Sequence, residues 1–190
     1  MTFPVFFDSC ALFGGTLNDT LLRLGELGAY RLMWSEDILQ ELERNLAERV
    51  SEPAAARRVG GMRAAFPDAA VVDYSDLVDS MNCHPKDRHV LAAAVRGRAE
   101  VLVTFNLKDF PPAAIRGHAI TVLHPDDFLL DQLDLHPALV RTALSSQVAD
   151  AQRPPLTVPR LLGILSRSGV PRFAAEAQRH DFLVPGAIDD

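Results

Sequence analysis

Asp87 is the residue whose placement asks for chemistry. On a helical wheel it lies on the same stripe as Val90, Leu91 and Ala94, at i+3, i+4 and i+7. An ionised carboxylate on such a face costs several kcal/mol unless a cation pairs with it. The helix dipole at a first turn offsets only about 0.3–1 kcal/mol of that. Asp87 therefore predicts either an Arg or Lys partner or a metal ion. Asp8 is the second acid of interest, because the apolar run Phe3-Pro4-Val5-Phe6-Phe7 stops on it. Asp8 reads equally well as a ligand at a strand end and as the N-cap of a helix beginning at Ser9. Asn106 and Asp109 follow a third apolar run, where either residue could serve ordinary turn chemistry instead. Oxygen donors of this kind suit Mg²⁺, with Mn²⁺ as a substitute. His84, His89, His118 and His124 have no ligand spacing, and read as surface or structural.

The elements that must position these residues alternate. Short apolar runs over residues 3–7, 70–72, 101–105 and 119–123 predict four strands. Helical patterns separate them: one through Leu12, Leu17, Leu21 and Leu24, and one capped by Ser35 and running through Ile38, Leu39, Leu42 and Leu46. A third opens at Pro53 and is expected to break at Gly60-Gly61; a fourth starts at Pro85 and closes at Gly97. Strands alternating with helices predict an α/β fold of three layers, a central parallel sheet flanked by helices. The acids at 8 and 106–109 then share the carboxyl edge of that sheet.

Beyond about residue 128 the pattern becomes helical only. Pro137 opens one helix, Pro154-Pro155 breaks it, Thr157 caps a second and Pro171 begins a third. The expected division is 1–128 for the α/β domain and 129–190 for an all-helical extension. Residues 164–178 could form a helix-turn-helix, but Leu165 stands where that motif wants a small residue and Gln178 where it wants an apolar one, which favours a helical hairpin.

Among 190 residues, 48% are apolar, a globular fraction, and no stretch is long enough to cross a membrane. Cys10 and Cys83 form neither a disulfide framework nor a metal spacing, and with no export signal they lead to the expectation of a cytoplasmic protein. The net charge of −6 disfavours a general nucleic-acid coat and permits a substrate held locally at a metal.

Four segments in order resemble the PIN-domain nucleases over about the first 128 residues. They are Val5 to Leu12 with Asp8, Ser35 to Leu42 with Glu41, Asp87 to Ala94, and Val103 to Phe110 with Asn106 and Asp109. Within that family the chain looks most like the VapC-type toxins, in a longer version with a helical extension. The resemblance implies a Mg²⁺-dependent endoribonuclease acting on RNA and held inactive by a cognate antitoxin. It makes Asp8, Asp87 and Glu41 metal-binding acids; periodicity alone would leave Glu41 on a solvated face. Asn106 occupies a place often held by Asp, so the resemblance passes the fourth carboxylate to Asp109. Other readings remain open: a PIN-fold binding or regulatory protein without catalysis, or a haloacid-dehalogenase-like phosphatase with Asp8 as nucleophile, although Cys10 stands where that family has a second Asp. The apolar density of the extension leads to the expectation of a homodimer or of antitoxin docking there.

Overall fold

The computed structural model describes residues 2–151 and 155–180. Two compact units divide them: residues 2–14 with 30–124, and residues 15–29 with 125–151 and 155–180. A boundary at 128 is therefore a division in sequence only.

The first unit is built on five parallel strands, one more than the sequence predicts. They are β1 (Pro4–Phe7), β2 (Arg31–Ser35), β3 (Ala70–Val71), β4 (Val101–Val103) and β5 (Thr121–Leu123), in the order β3-β2-β1-β4-β5. The unanticipated strand is β2. Its Leu32-Met33-Trp34 core lacks β-branched residues, so local propensity is weak, and burial beside β1 decides it. Val5, Phe6 and Phe7 are fully buried, as a central parallel strand requires. The chain fills one side of β1 with β2 and β3, then crosses to β4 and β5 on the other. The seam between β1 and β4 is thus the topological switch point, where open α/β sheets leave a crevice at the strands' carboxyl ends.

Helices α1 (Ser9–Phe13), α3 (Glu36–Ala47), α4 (Glu52–Ala65), α5 (Arg88–Arg96) and α6 (Pro112–Ile115) complete this unit, with α2 (Gly15–Glu26) lying between α1 and β2 in the chain. Ser35 caps α3 as its sequence suggests, accepting from the Ile38 amide at 3.3 Å. The expected break at Gly60-Gly61 does not occur. Ser51 caps α4, and the helix runs unbroken to Ala65. Two glycines cost helix propensity, but Val59 and Met62 bury the flanking turns.

In the second unit α2 joins α7 (Pro125–Leu135), α8 (Pro137–Asp150), α9 (Val158–Arg167) and α10 (Pro171–Arg179). A buried polar clasp explains that allegiance. Thr20 Oγ1 donates to Gln147 Oε1 at 2.8 Å, and Gln147 Nε2 donates to the Thr16 carbonyl at 3.0 Å. Arg23 adds an ion pair to Asp150 at 2.8 Å. Asp126, 5% exposed, accepts from the amides of Phe173 at 2.8 Å and Arg172 at 3.1 Å, capping α10 from another helix. The arginines of the helix-turn-helix alternative are partly engaged: Arg172 pairs with Asp127 and Arg179 with Glu176. Of the predicted Pro154-Pro155 break, Pro154 lies outside the described residues; α8 itself ends at Asp150.

Candidate metal centre

Asp8 sits one residue past β1, and its amide donates to the Val103 carbonyl at 3.1 Å, extending the ladder to β4. Its side chain is 4% exposed. The side-chain cap is absent at the atomic level. Asp8 occupies the N-cap position of α1, yet its carboxylate makes no cap bond; only its backbone carbonyl does, accepting from the Ala11 amide at 3.1 Å. Instead Oδ2 accepts from Thr104 Oγ1 at 2.7 Å and from Cys10 Sγ at 3.2 Å. Oδ1 takes only a 3.4 Å bond from Ser9 Oγ, too long to be strong. One oxygen is fixed and the other is nearly free.

Thr104 stands opposite Asp8 because Phe7 pairs with Val103 in the sheet register. Its hydroxyl accepts from the Asn106 amide at 3.0 Å while donating to Asp8, so the two strand ends share one hydrogen-bonded chain. Cys10 Sγ accepts from the Phe105 amide at 3.3 Å. Burial first and the Asp8 charge second push the Cys10 thiol up to about 12, so it stays a neutral S–H donor and not a nucleophile.

Asp87 is not in the body of α5. It ends a 3₁₀ turn, Pro85–Asp87, and occupies the N-cap position of α5, without a side-chain cap bond. Its side chain is 20% exposed, so the full burial that the helical wheel implies is corrected. Neither Arg nor Lys pairs with it among the described residues; its partner is His84, Nδ1 to Oδ2 at 3.3 Å. His84 is thus exposed, as its lack of ligand spacing suggests, but it faces this acid. Burial raises the Asp87 pKa, and the charges of Asp8 and Asp109 raise it further, against a lowering from His84 and His89. Asp87 thus feels the charges of two other carboxylates, an arrangement that a cation would relieve.

Asp8, Glu41, Asp87 and Asn106 line one cavity of about 350 Å³, with Ser9 and Cys10 in its wall. Glu41 reaches it from the half-buried flank of α3. Asp109 is not among the lining residues. The 3₁₀ turn Leu107–Asp109 folds it back, its amide donating to the Asn106 carbonyl at 3.0 Å, and its carbonyl accepts from the His84 amide at 3.3 Å. A larger cavity, about 870 Å³, lies between α3 and α4 but holds none of the strand-end residues.

Hard oxygen donors with mutual repulsion fit Mg²⁺ or Mn²⁺. Among the described residues no group of three or more His, Cys, Asp or Glu side chains is placed so that it could hold a metal ion as it stands. Mg²⁺ takes few protein carboxylates and keeps several waters, so an open donor set suits it.

Sequence comparison bears on the same residues. The family described as PIN domain matches residues 4–108. The chain belongs to the PIN-domain family. The described VapC50 C-terminal domain matches residues 125–179 of this PIN protein, most of its later helices. Over 134 residues it is 48% identical to the protein named "Putative ribonuclease VapC50" of Mycobacterium tuberculosis strain H37Rv, covering 69% of this chain and 76% of the relative. No solved structure matches it. The PIN match includes Asp8, Glu41, Asp87 and Asn106 and ends one residue before Asp109.

Sequence reasoning passed over Thr104, Ser9 and Cys10. Thr is an ordinary strand residue, and Thr104 reads as part of the run 101–105. Its only signal is register, since it is the residue paired across from the first position past β1.

Proposed function

We propose that this PIN protein is a metal-dependent endoribonuclease that hydrolyses RNA phosphodiester bonds and acts as the toxin of a toxin–antitoxin pair. The observation carrying this reading is that Asp8, Glu41 and Asp87 line one cavity at the switch point, with the Asp87 pKa raised by burial and then by its acidic neighbours. The name of the mycobacterial relative supports it. Asp8, Asp87, Glu41 and Asp109 would hold Mg²⁺, with Mn²⁺ as substitute. When bound, the ion supplies Lewis-acid polarisation of the phosphodiester and acidifies a water. The chain's own residues do the rest. Thr104 and Cys10 hold Asp8 Oδ2, leaving Oδ1 for the ligand. Glu41, or Asp109 from the turn after β4, orients the attacking water and takes its proton. His84 steadies the Asp87 carboxylate.

Residues 1–128 carry the chemistry in this reading, and 129–190 serve a homodimer or the cognate antitoxin. No helix among the described residues is long and apolar enough to cross a membrane, and both cysteines are free, which supports a cytoplasmic site. Purified protein incubated with total RNA should cleave it with Mg²⁺ or Mn²⁺ and stop with chelator. Asp8→Asn should abolish cleavage; metal-dependent cleavage that survives it overturns the assignment. Asn106 keeps a second reading in play, a PIN-fold binding or regulatory protein. Calorimetric titration showing no Mg²⁺ or Mn²⁺ binding selects that one.

A further inference from the structure

The cavity that holds the acids does not end with them. Its far wall is made by Phe13 from the end of α1 and by Asn45, Glu48 and Arg49 from the last turn of α3 and beyond. Arg49 is the only basic side chain among the described residues that line it. An arginine in an acidic cavity would ordinarily be neutralised by a neighbouring carboxylate. Arg49 makes no ion pair among the described residues, with Glu48 or any other acid; its guanidinium lies over the Phe13 ring at 5.9 Å. That distance is the outer limit of a cation–π contact. Arg49 is exposed, and its N–H donors make no hydrogen bond or ion pair among the described residues.

Phe13 is equally unusual for its position. It is half-buried at a cavity wall, whereas its neighbours Ala11 and Leu12 are fully buried. Its backbone is held from α4: Arg58 Nη2 donates to the Leu12 carbonyl at 2.7 Å and Nη1 to the Phe13 carbonyl at 3.1 Å. A half-buried aromatic ring, a guanidinium with no ion pair among the described residues and the Asn45 side chain in the same lining are what single-stranded RNA recognition uses: stacking for a base, arginine for a phosphate, an amide for a base edge or ribose. A cavity of about 350 Å³ is at the lower end for small-ligand sites, room for about one nucleotide unit beside the acids.

We propose that Phe13, Asn45 and Arg49 form a nucleotide subsite adjoining the acidic centre, in which Arg49 takes an RNA phosphate next to the one being cut and the Phe13 ring stacks the flanking base. This rests on the ribonuclease reading for its substrate class. It gives a chain of net charge −6 a local means of holding a polyanion at the one point where its acids would repel it.

The test uses the full chain and a 5′-fluorescein-labelled 12-nucleotide single-stranded RNA of random sequence, with wild type, Arg49→Ala and Phe13→Leu. Binding is read by anisotropy in EDTA, and cleavage with Mn²⁺. Circular dichroism melting confirms that each variant is folded, and Arg49→Lys serves as a second, charge-preserving variant. Arg49→Ala should raise Kd and KM roughly tenfold and flatten the slope of log Kd against log salt by about 0.7, one phosphate contact on a single strand. Phe13→Leu should raise Kd by a similar factor with the salt slope unchanged, because stacking carries no counterion term. Arg49→Lys should restore the slope. Wild-type cleavage with binding and slope unmoved in the variants overturns the subsite and leaves the nuclease standing. Binding without wild-type cleavage, weakened in both variants, upholds the subsite and removes the nuclease reading. RNA binding unmoved while a co-purifying protein partner is lost assigns the surface to protein and overturns the proposal. No RNA binding by wild type removes both.

Discussion

Thr104 Oγ1 donates a 2.7 Å hydrogen bond to Asp8 Oδ2, joining the carboxyl ends of β4 and β1 across the switch point of the sheet. Thr104 is fully buried, so the bond is made away from water and its acceptor is charged. Loss of the hydroxyl would leave Asp8 Oδ2 with only the weaker thiol donor. Thr104→Val, nearly isosteric, is expected to cost about 1.5–3 kcal/mol of stability. If Asp8 is the ligand proposed, metal affinity should fall about 10–100-fold, the usual effect of removing a residue that orients a ligand. Thr104→Ser should recover most of both. Thermal melting and Mn²⁺ titration measure them, and a Thr104→Val protein with wild-type metal affinity would remove Thr104 from the site.

Asp126 closes the N-terminus of α10 from outside that helix. Asp126→Ala strands the buried amide of Phe173 and the partly buried amide of Arg172. The expected loss is about 1–3 kcal/mol, or a Tm lower by roughly 2–4 °C per kcal/mol in a chain of this size. Asp126→Asn should fall between, since it can still accept. Melting curves decide; an unchanged Tm in Asp126→Ala would mean that solvent satisfies both amides.

Acid on α7 also sets a pH dependence. Burial, then the charges of Asp127 and Asp134, raise the Asp131 pKa. A raised carboxylate pKa means that the folded state holds its proton to higher pH than the unfolded chain does. This residue's contribution is therefore most favourable at low pH and declines as pH rises from the ordinary carboxylate value through the folded one. Asp131→Asn should stabilise the protein at neutral pH by about 0.2–0.5 kcal/mol, the scale of a like-charge i,i+4 contact. The gain should vanish below the carboxylate range. Urea midpoints at acid and neutral pH read this directly, and an equal gain at both would implicate something other than charge.

Legibility of the site followed the kind of signal each residue carried. Asp8 could be read because an apolar run stops on it, and Asp87 because it shares a wheel face with Val90, Leu91 and Ala94, although its backbone proves to be the N-cap of α5. Glu41 left no trace in periodicity. A helix face turned from its own apolar stripe can face solvent or a cavity, and only family resemblance distinguished them. Thr104 and β2 were hidden for a common reason: strand register and burial beside β1 are tertiary facts that local propensity does not encode. The same holds for α2, whose apolar stripe shows that it is buried, while Thr20 and Gln147 decide in which core.

Asn106 and Asp109 divide one role between two residues. Asn106 lines the cavity with Asp8, Glu41 and Asp87, but its amide side chain brings no charge. Asp109 carries the charge, and Asp87 feels it, although Asp109 stands outside the lining. If the carboxylate of Asp109 serves the metal, Asp109→Asn should lower Mn²⁺ affinity and RNA cleavage about 10–100-fold. Asn106→Asp should tighten Mn²⁺ binding, because a further acid would then face the cavity beside Asp8, Glu41 and Asp87, and it should rescue Asp109→Asn in the double variant. Titration calorimetry and initial cleavage rates across the four proteins give the coupling between the two positions. Independent, additive effects would mean that Asp109 acts from outside the centre, leaving Asp8, Glu41 and Asp87 as its carboxylates.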